Sequence, residues 1–317
     1  MNADYLQKYS KRNIFILSLH LSPYYLYHFF FIPFRKNIKE INYKLPKKSK
    51  IQKRHLAALF DAMLNILLEG YIEITGEKIN SSTGQMLYFL FEITMALDEY
   101  LDKHRKTNSS LSIKEVLEDL KIKNQINIFR NFIRLFDREE SIISYLKEMF
   151  TAHYEHYIRL IKIDVNQLSF TNALEISQID GGWTLSSTME IVRLFNMHKP
   201  NQKMLHEFYL LGTAGKFAED MVDLACDKKK GHLNLFLSLI KQKPTEETNL
   251  YGQIESEGRI DFEWLNKNCN KTFIEYMNIL ETYYNQITSQ KVRFACDLLM
   301  IPAFLGHDWD PERHAAS

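Results

Sequence analysis

The sequence predicts an all-α protein folded as one domain, on three observations. Apolar residues recur at helical spacing through most of the chain, as in Leu56, Leu59, Phe60, Met63, Leu64 and Leu67. The two-residue alternation of a half-buried strand is rare. Only 11 glycines and 7 prolines punctuate 317 residues, so long helices are expected. The composition, 45% hydrophobic and 25% charged, fits a soluble globular chain that buries a large core without disulfides. No repeat, low-complexity tract or linker divides it, so residues 1–317 read as a single domain, with 1–50 a helical segment packed on the bundle.

Charge and cysteine content exclude several classes. A net charge of +1 argues against a nucleic-acid binder acting through bulk charge. Cys226, Cys269 and Cys296 share no CxxC spacing and are odd in number, which fits a reduced, cytoplasmic location.

Along the chain, "NIFILSLHLSPYYLYHFFFIPF" (13–34) is apolar and aromatic and follows Lys8, Lys11 and Arg12. His20, Ser22, Pro23 and His28 interrupt it, and no small-residue cleavage site follows. The expectation is a buried helix pair broken at Pro23, rather than a removed signal or an anchor. The other reading is a lip that makes peripheral membrane contact and collects a greasy substrate. Breaks are expected near 35–50, 75–84, 106–112, 180–182, 198–202, 228–234 and 241–258. Between them a helix is expected over 84–104 and another over 204–228.

Those two helices carry the acidic clusters. Asp98 and Asp102 lie four apart and share a face, separated by about 6 Å of helix rise, with Glu99 on the adjacent edge. Glu219, Asp223 and Asp227 form a stripe at the same spacing, with Asp220 beside it. Like charges at this spacing repel, and the C-terminal end of a helix disfavours negative charge. Either cluster alone is more often a solvated face. Together they point to an external cation, and carboxylates without His or Cys select a hard ion such as Mg²⁺. Because Mg²⁺ completes its shell with water and phosphate oxygens, two such helix ends at one mouth would hold several ions around a diphosphate.

Beneath the carboxylates the helices turn apolar. Met95, Thr94 and Phe91 precede Asp98; Gly215, Gly212 and Phe208 precede Glu219. The glycines either leave room for a long apolar group or allow close helix packing. A diphosphate mouth over an aromatic shaft describes a site for an isoprenyl diphosphate, whose ionised form is a cation that aromatic faces stabilise. Phe91, Phe208 and Trp183 are the candidate walls, although single aromatic residues on helices are usually core. Arg105, Lys228, Lys229 and Lys230 are candidates for diphosphate oxygens, and Arg193 is another, with a surface arginine as the alternative. His104, His153 and His156 do not make a zinc set.

These residues resemble the all-α isoprenoid synthase superfamily. "DEYLD" (98–102) looks like its first aspartate-rich motif, and Glu219, Asp223 and Asp227 match the spacing of its second. "DMVDLACDKKKGHLNLF" (220–236) and "DGGWTLSSTMEIVRLF" (180–195) are most like the large bacterial terpene synthases of the tetraprenyl-β-curcumene synthase type. Glu99 stands for an Asp, Glu219 for an Asn, Cys226 for an acid and Lys228 for an Arg of the family pattern. The resemblance implies a helical bundle around a central cavity and Mg²⁺-dependent ionisation of a linear isoprenyl diphosphate to a terpene hydrocarbon or alcohol. Asp98, Asp102, Glu219, Asp223 and Asp227 would be the catalytic metal ligands, with Glu99 and Asp220 orienting them or binding the metal's water. A homodimer is common in that superfamily. Trans-prenyltransferases share the second motif, but "KKSKIQKR" (47–54) lacks the glycines of their second diphosphate site. Head-to-head squalene and phytoene synthases share the ancestry, and a non-catalytic helical scaffold is the reading from a different class.

Overall fold

The computed structural model describes residues 11–31, 50–104, 112–149, 151–152, 156, 158, 168–258 and 260–305, and no strand occurs among them. The helices that matter for the site are α1 (Lys11–Phe31), α2 (Lys50–Thr75), α3 (Thr83–His104), α4 (Ile113–Glu118), α5 (Leu120–Arg134), α6 (Glu139–Met149) and α7 (Phe170–Ser177). A π-helical segment, Gln178–Trp183, joins α7 to α8 (Thr184–Asn196). Then come α9 (Gln202–Val222), α10 (Leu224–Lys230), α11 (Leu235–Ile240), α12 (Pro244–Glu255), α13 (Phe262–Asn268), α14 (Asn270–Gln286) and α15 (Gln290–Leu305).

Helix α9 is the hub. It packs against the π segment, α8, α14 and α15, and buries residues on every side, among them Phe208, Leu211, Ala214 and Phe217. A helix apolar all round belongs in an interior. One of its buried polar residues, Glu207, is 2% exposed and accepts hydrogen bonds from the backbone N–H groups of Thr288 (2.9 Å) and Ser289 (3.0 Å). Glu73 does the same for Gln290 (3.0 Å) and Lys291 (2.9 Å), so two distant carboxylates satisfy the orphan donors at the start of α15.

Three expected breaks take another form. At Pro23 the chain continues as one helix, α1. Proline removes the N–H that would meet the Leu19 carbonyl, and the Ser22 hydroxyl donates to that oxygen instead, at 2.8 Å. Helix α1 packs on α2 and α15, held by a Tyr24 hydroxyl that donates to Glu69 (2.6 Å) and accepts from Lys291 (2.9 Å). It is not fully buried, since Ile16, Leu19 and Leu26 are exposed. Residues 180–182 do not break the helix but widen it into the π segment. The stretch 241–258 contains α12, which opens on Pro244, where a missing N–H costs nothing. No helix among the described residues is long and apolar enough to cross a membrane.

The expected helix over 204–228 is divided at Asp223, where α9 ends and α10 begins. The hydrogen bonds Asp223 N–H to Glu219 O (2.9 Å) and Asp227 N–H to Asp223 O (2.8 Å) keep the four-residue register through the bend. Gly231, at φ +68°, ends α10 in the left-handed region that glycine adopts without strain.

Candidate active site

Helices α2, α3, α8 and α9 and the π segment enclose a cavity of about 850 Å³. At one end it is bordered by Asp180, Lys216, Glu219 and Asp223, and its walls include Phe60, Phe91 and Trp183. The C-terminal turns of α3 reach the same space through Leu97 and Leu101, the residues just before Asp98 and Asp102. Both acidic motifs therefore lie on helix ends that border one cavity. The side chains of Asp98 and Asp102 are outside the described ones, as is all of Arg105 and His153.

The cavity wall is drier than its composition suggests. Three lining threonines turn their hydroxyls back to their own helix: Thr94 to Leu90 O (3.2 Å), Thr184 to Ile179 O (3.2 Å) and Thr188 to Thr184 O (2.8 Å). Each hydroxyl proton is thereby taken by a backbone carbonyl. A second cavity of about 280 Å³ shares Leu90, Thr94, Leu97 and Thr188 with the first, so one layer of side chains separates the two.

The two glycines of α9 have different jobs. A Cβ on Gly212 would lie 2.1 Å from the Gly181 carbonyl oxygen, and one on Gly181 would lie 2.3 Å from that of Gly212. Only paired glycines let the π segment seat on α9 at that distance. A Cβ on Gly215 would meet only Leu299, at 3.2 Å, so this position opens the cavity.

The acidic cluster on α9 has an internal cation that the spacing argument left out. Lys216 Nζ lies 3.1 Å from Glu219, 3.3 Å from Asp180 and 3.8 Å from Asp220. Burial works against its charge, but the three carboxylates outweigh it and hold the ammonium well above the usual lysine range. The cluster thus holds a resident cation of its own, which the expectation of an external cation did not include. Lys216 precedes Glu219 and Asp220 by three and four residues, a spacing that was legible in the sequence. Asp180 sat unremarked in "DGG" because only the fold brings it to α9.

Asp220 is buried and accepts from Leu235 N–H at 2.7 Å. Burial pushes its carboxyl up to about 8, although Lys216 and the Leu235 N–H pull the other way. Asp227 is also raised, chiefly by burial, against hydrogen bonding from Asn234. Asn234 explains itself here: its amide donates to Asp220 O (2.6 Å) and Asp227 Oδ2 (2.9 Å), while its oxygen caps α11 at Leu237 N–H (3.1 Å). His232 lies 3.6 Å from the other Asp227 oxygen. Glu219 is the open member, with 56% of its side chain exposed.

Other candidates face elsewhere. Glu99 pairs with Lys121 of α5 on the outer flank. Lys228 stacks on Tyr251, 3.4 Å from the ring centre; Lys229 lies 3.4 Å from Glu257, and Lys230 hydrogen-bonds Cys226. Arg193 is neither a cavity wall nor a surface arginine. It grips Glu190 at 2.7 and 2.8 Å and donates to His198 O at 2.6 Å, with 13% of its side chain exposed. Phe208 is fully buried core rather than wall, whereas Phe91 and Trp183 line the cavity. His156 pairs with Glu175 at 2.7 Å.

Among the described side chains, no group of three His, Cys, Asp or Glu forms a ready-made metal cluster. The donor set nevertheless fits Mg²⁺, which needs only one or two carboxylates beside water and phosphate oxygens, and Glu219 and Asp223 border the cavity as such donors. Comparison with known proteins finds no matching family model and no matching characterised relative.

Proposed function

We propose that the protein is a Mg²⁺-dependent terpene synthase that ionises a linear, long-chain isoprenyl diphosphate. One observation carries the reading: the ends of α3 and α9, which bear the two acidic motifs, border a single apolar cavity of about 850 Å³. That volume lies within the range of small-molecule sites, and the adjoining 280 Å³ space offers room for a longer chain.

Glu219 and Asp223 would hold the metal on one side of the mouth, and Asp98 and Asp102 on the other. Bound there, Mg²⁺ supplies Lewis-acid neutralisation of the departing diphosphate. Asn234 fixes Asp227 behind this set by hydrogen bonding, so its carboxylate orients rather than roams. The aromatic faces of Phe60, Phe91 and Trp183 stabilise positive charge along the chain. The hydroxyl protons of Thr94, Thr184 and Thr188 are committed to backbone carbonyls, so these cavity residues do not donate to the substrate.

The test is incubation with C15, C20, C25 and longer isoprenyl diphosphates plus Mg²⁺. Release of inorganic diphosphate with an extractable terpene product is expected, and its loss in Asp98→Ala combined with Asp223→Ala. No product at any length overturns the reading. Turnover that requires isopentenyl diphosphate assigns chain elongation instead.

A further inference from the structure

Among the described residues that line the cavity, Lys216 carries the basic group. Its ammonium is already committed, at 3.1 Å to Glu219 and 3.3 Å to Asp180. Those are the carboxylates that face the cavity beside Asp223. Asp220, the third neighbour at 3.8 Å, is held by the Leu235 N–H and stays where it is. A cation this close to Glu219 occupies the lone pairs that a divalent ion would use. Lysine is also a compact charge on a flexible four-carbon stem, suited to changing partners and to meeting phosphate oxygens.

We propose that Lys216 is a resident counter-cation of the acidic mouth: it holds Glu219 in an ion pair, releases it when a divalent ion binds, and turns to the diphosphate of the substrate. This rests on the terpene synthase reading and adds a positioning residue to it. Lys216 and the divalent ion compete for Glu219, so metal alone binds weakly. Diphosphate gives the displaced ammonium a new partner, so metal and diphosphate strengthen each other's binding, and by linkage they do so equally. Asp180 sets the balance, because it shares the ammonium with Glu219 and draws it toward the π segment.

The experiment measures Mn²⁺ binding by electron paramagnetic resonance on the full chain, with and without inorganic diphosphate at buffered free Mn²⁺. Lys216→Gln is expected to tighten Mn²⁺ binding in the absence of diphosphate by about fivefold to tenfold, the lower end of ordinary coupling between sites. It also shrinks the further gain that diphosphate brings. Asp180→Asn, which leaves the ammonium to Glu219, weakens Mn²⁺ binding instead; the opposite sign separates the effect from general damage to the fold. A folded Lys216→Gln protein that binds Mn²⁺ no tighter than wild type overturns the proposal. Should that variant not fold, unchanged or tighter binding by Asp180→Asn overturns it. Mn²⁺ binding that depends on Asp223 but ignores Lys216 leaves the terpene synthase reading standing. Absence of Mn²⁺ binding in every variant removes the reading and the inference with it.

Discussion

Carboxylates meet helix ends in two opposite electrostatic senses in this protein. At the start of α15, Glu73 and Glu207 face backbone N–H groups, and at the start of α14 Glu246 accepts from Lys271 N–H (2.8 Å) and Thr272 N–H (2.9 Å). Burial opposes the charge of Glu73 and Glu246, but these donors win and hold both carboxyls below the usual range. At the end of α9 the dipole is adverse and donors are scarce. There burial wins, raising Asp220 and Asp227. The first set has partners supplied by the fold and explains itself as structure. The second is answered by the Leu235 N–H, the Asn234 amide and one lysine, and it stands beside Glu219 and Asp223, which border a cavity. Both sets are carboxylates, and the local field tells one from the other.

Four changes would break or sharpen that contrast. Asp223→Ala should lower turnover of the isoprenyl diphosphate by about 10²- to 10³-fold, the scale for losing one electrostatic group in a site, while the urea midpoint moves little. A large stability loss there would make Asp223 a member of the structural set. Glu207→Ala should do the reverse, costing about 2–3 kcal/mol in urea unfolding because it strands buried N–H donors. Asn234→Ala sits between the two. It should cost about 1 kcal/mol as a lost cap and lift the Asp227 carboxyl further, readable by nuclear magnetic resonance titration.

The fourth change is read in the pH slope. Asp220 binds its proton more tightly folded than unfolded, so its contribution is full below the ordinary carboxylate range. It is lost as pH rises through about 8. Lys216 titrates well above 10.5 and adds nothing in that window. Stability should therefore decline from pH 5 to about pH 8 in the wild type, and Asp220→Asn should flatten that decline, measured as denaturation midpoints.

How much of this was legible varies by kind of signal. The helix expected over 84–104 appears as Thr83–His104, because its apolar period is continuous and the ending is local. Local signals also placed the acidic stripe on consecutive turns. The π segment was not legible: two glycines read as a break until Gly212 on another helix gives them something to seat against. In 241–258, Pro244 reads as a breaker, although at a first helical turn it is a start signal, and only Leu250 and Ile254 are buried to mark a face. Pro23 misled for a similar reason, since its effect depends on whether Ser22 answers the stranded carbonyl. Lys216 was within reach of the pattern and Asp180 was not. A helix spacing is a property of the chain, whereas a partner across two helices is a property of the packing.

The π segment also sets a phase. Its wide turn holds one residue more than an α-helix would need, with the Thr184 N–H reaching back five residues to the Ile179 carbonyl. Deleting one residue within 178–183 would let the turn relax to α-helix, keeping α8 near its present phase on α7 but removing the bulge that seats Gly181 against Gly212. Leu185 and Thr188 would then still face the cavity, while the close seat of this segment on α9 would be lost. A single-codon deletion at this point would thus separate the seat of the π segment on α9 from the facing of α8, which no point substitution can do.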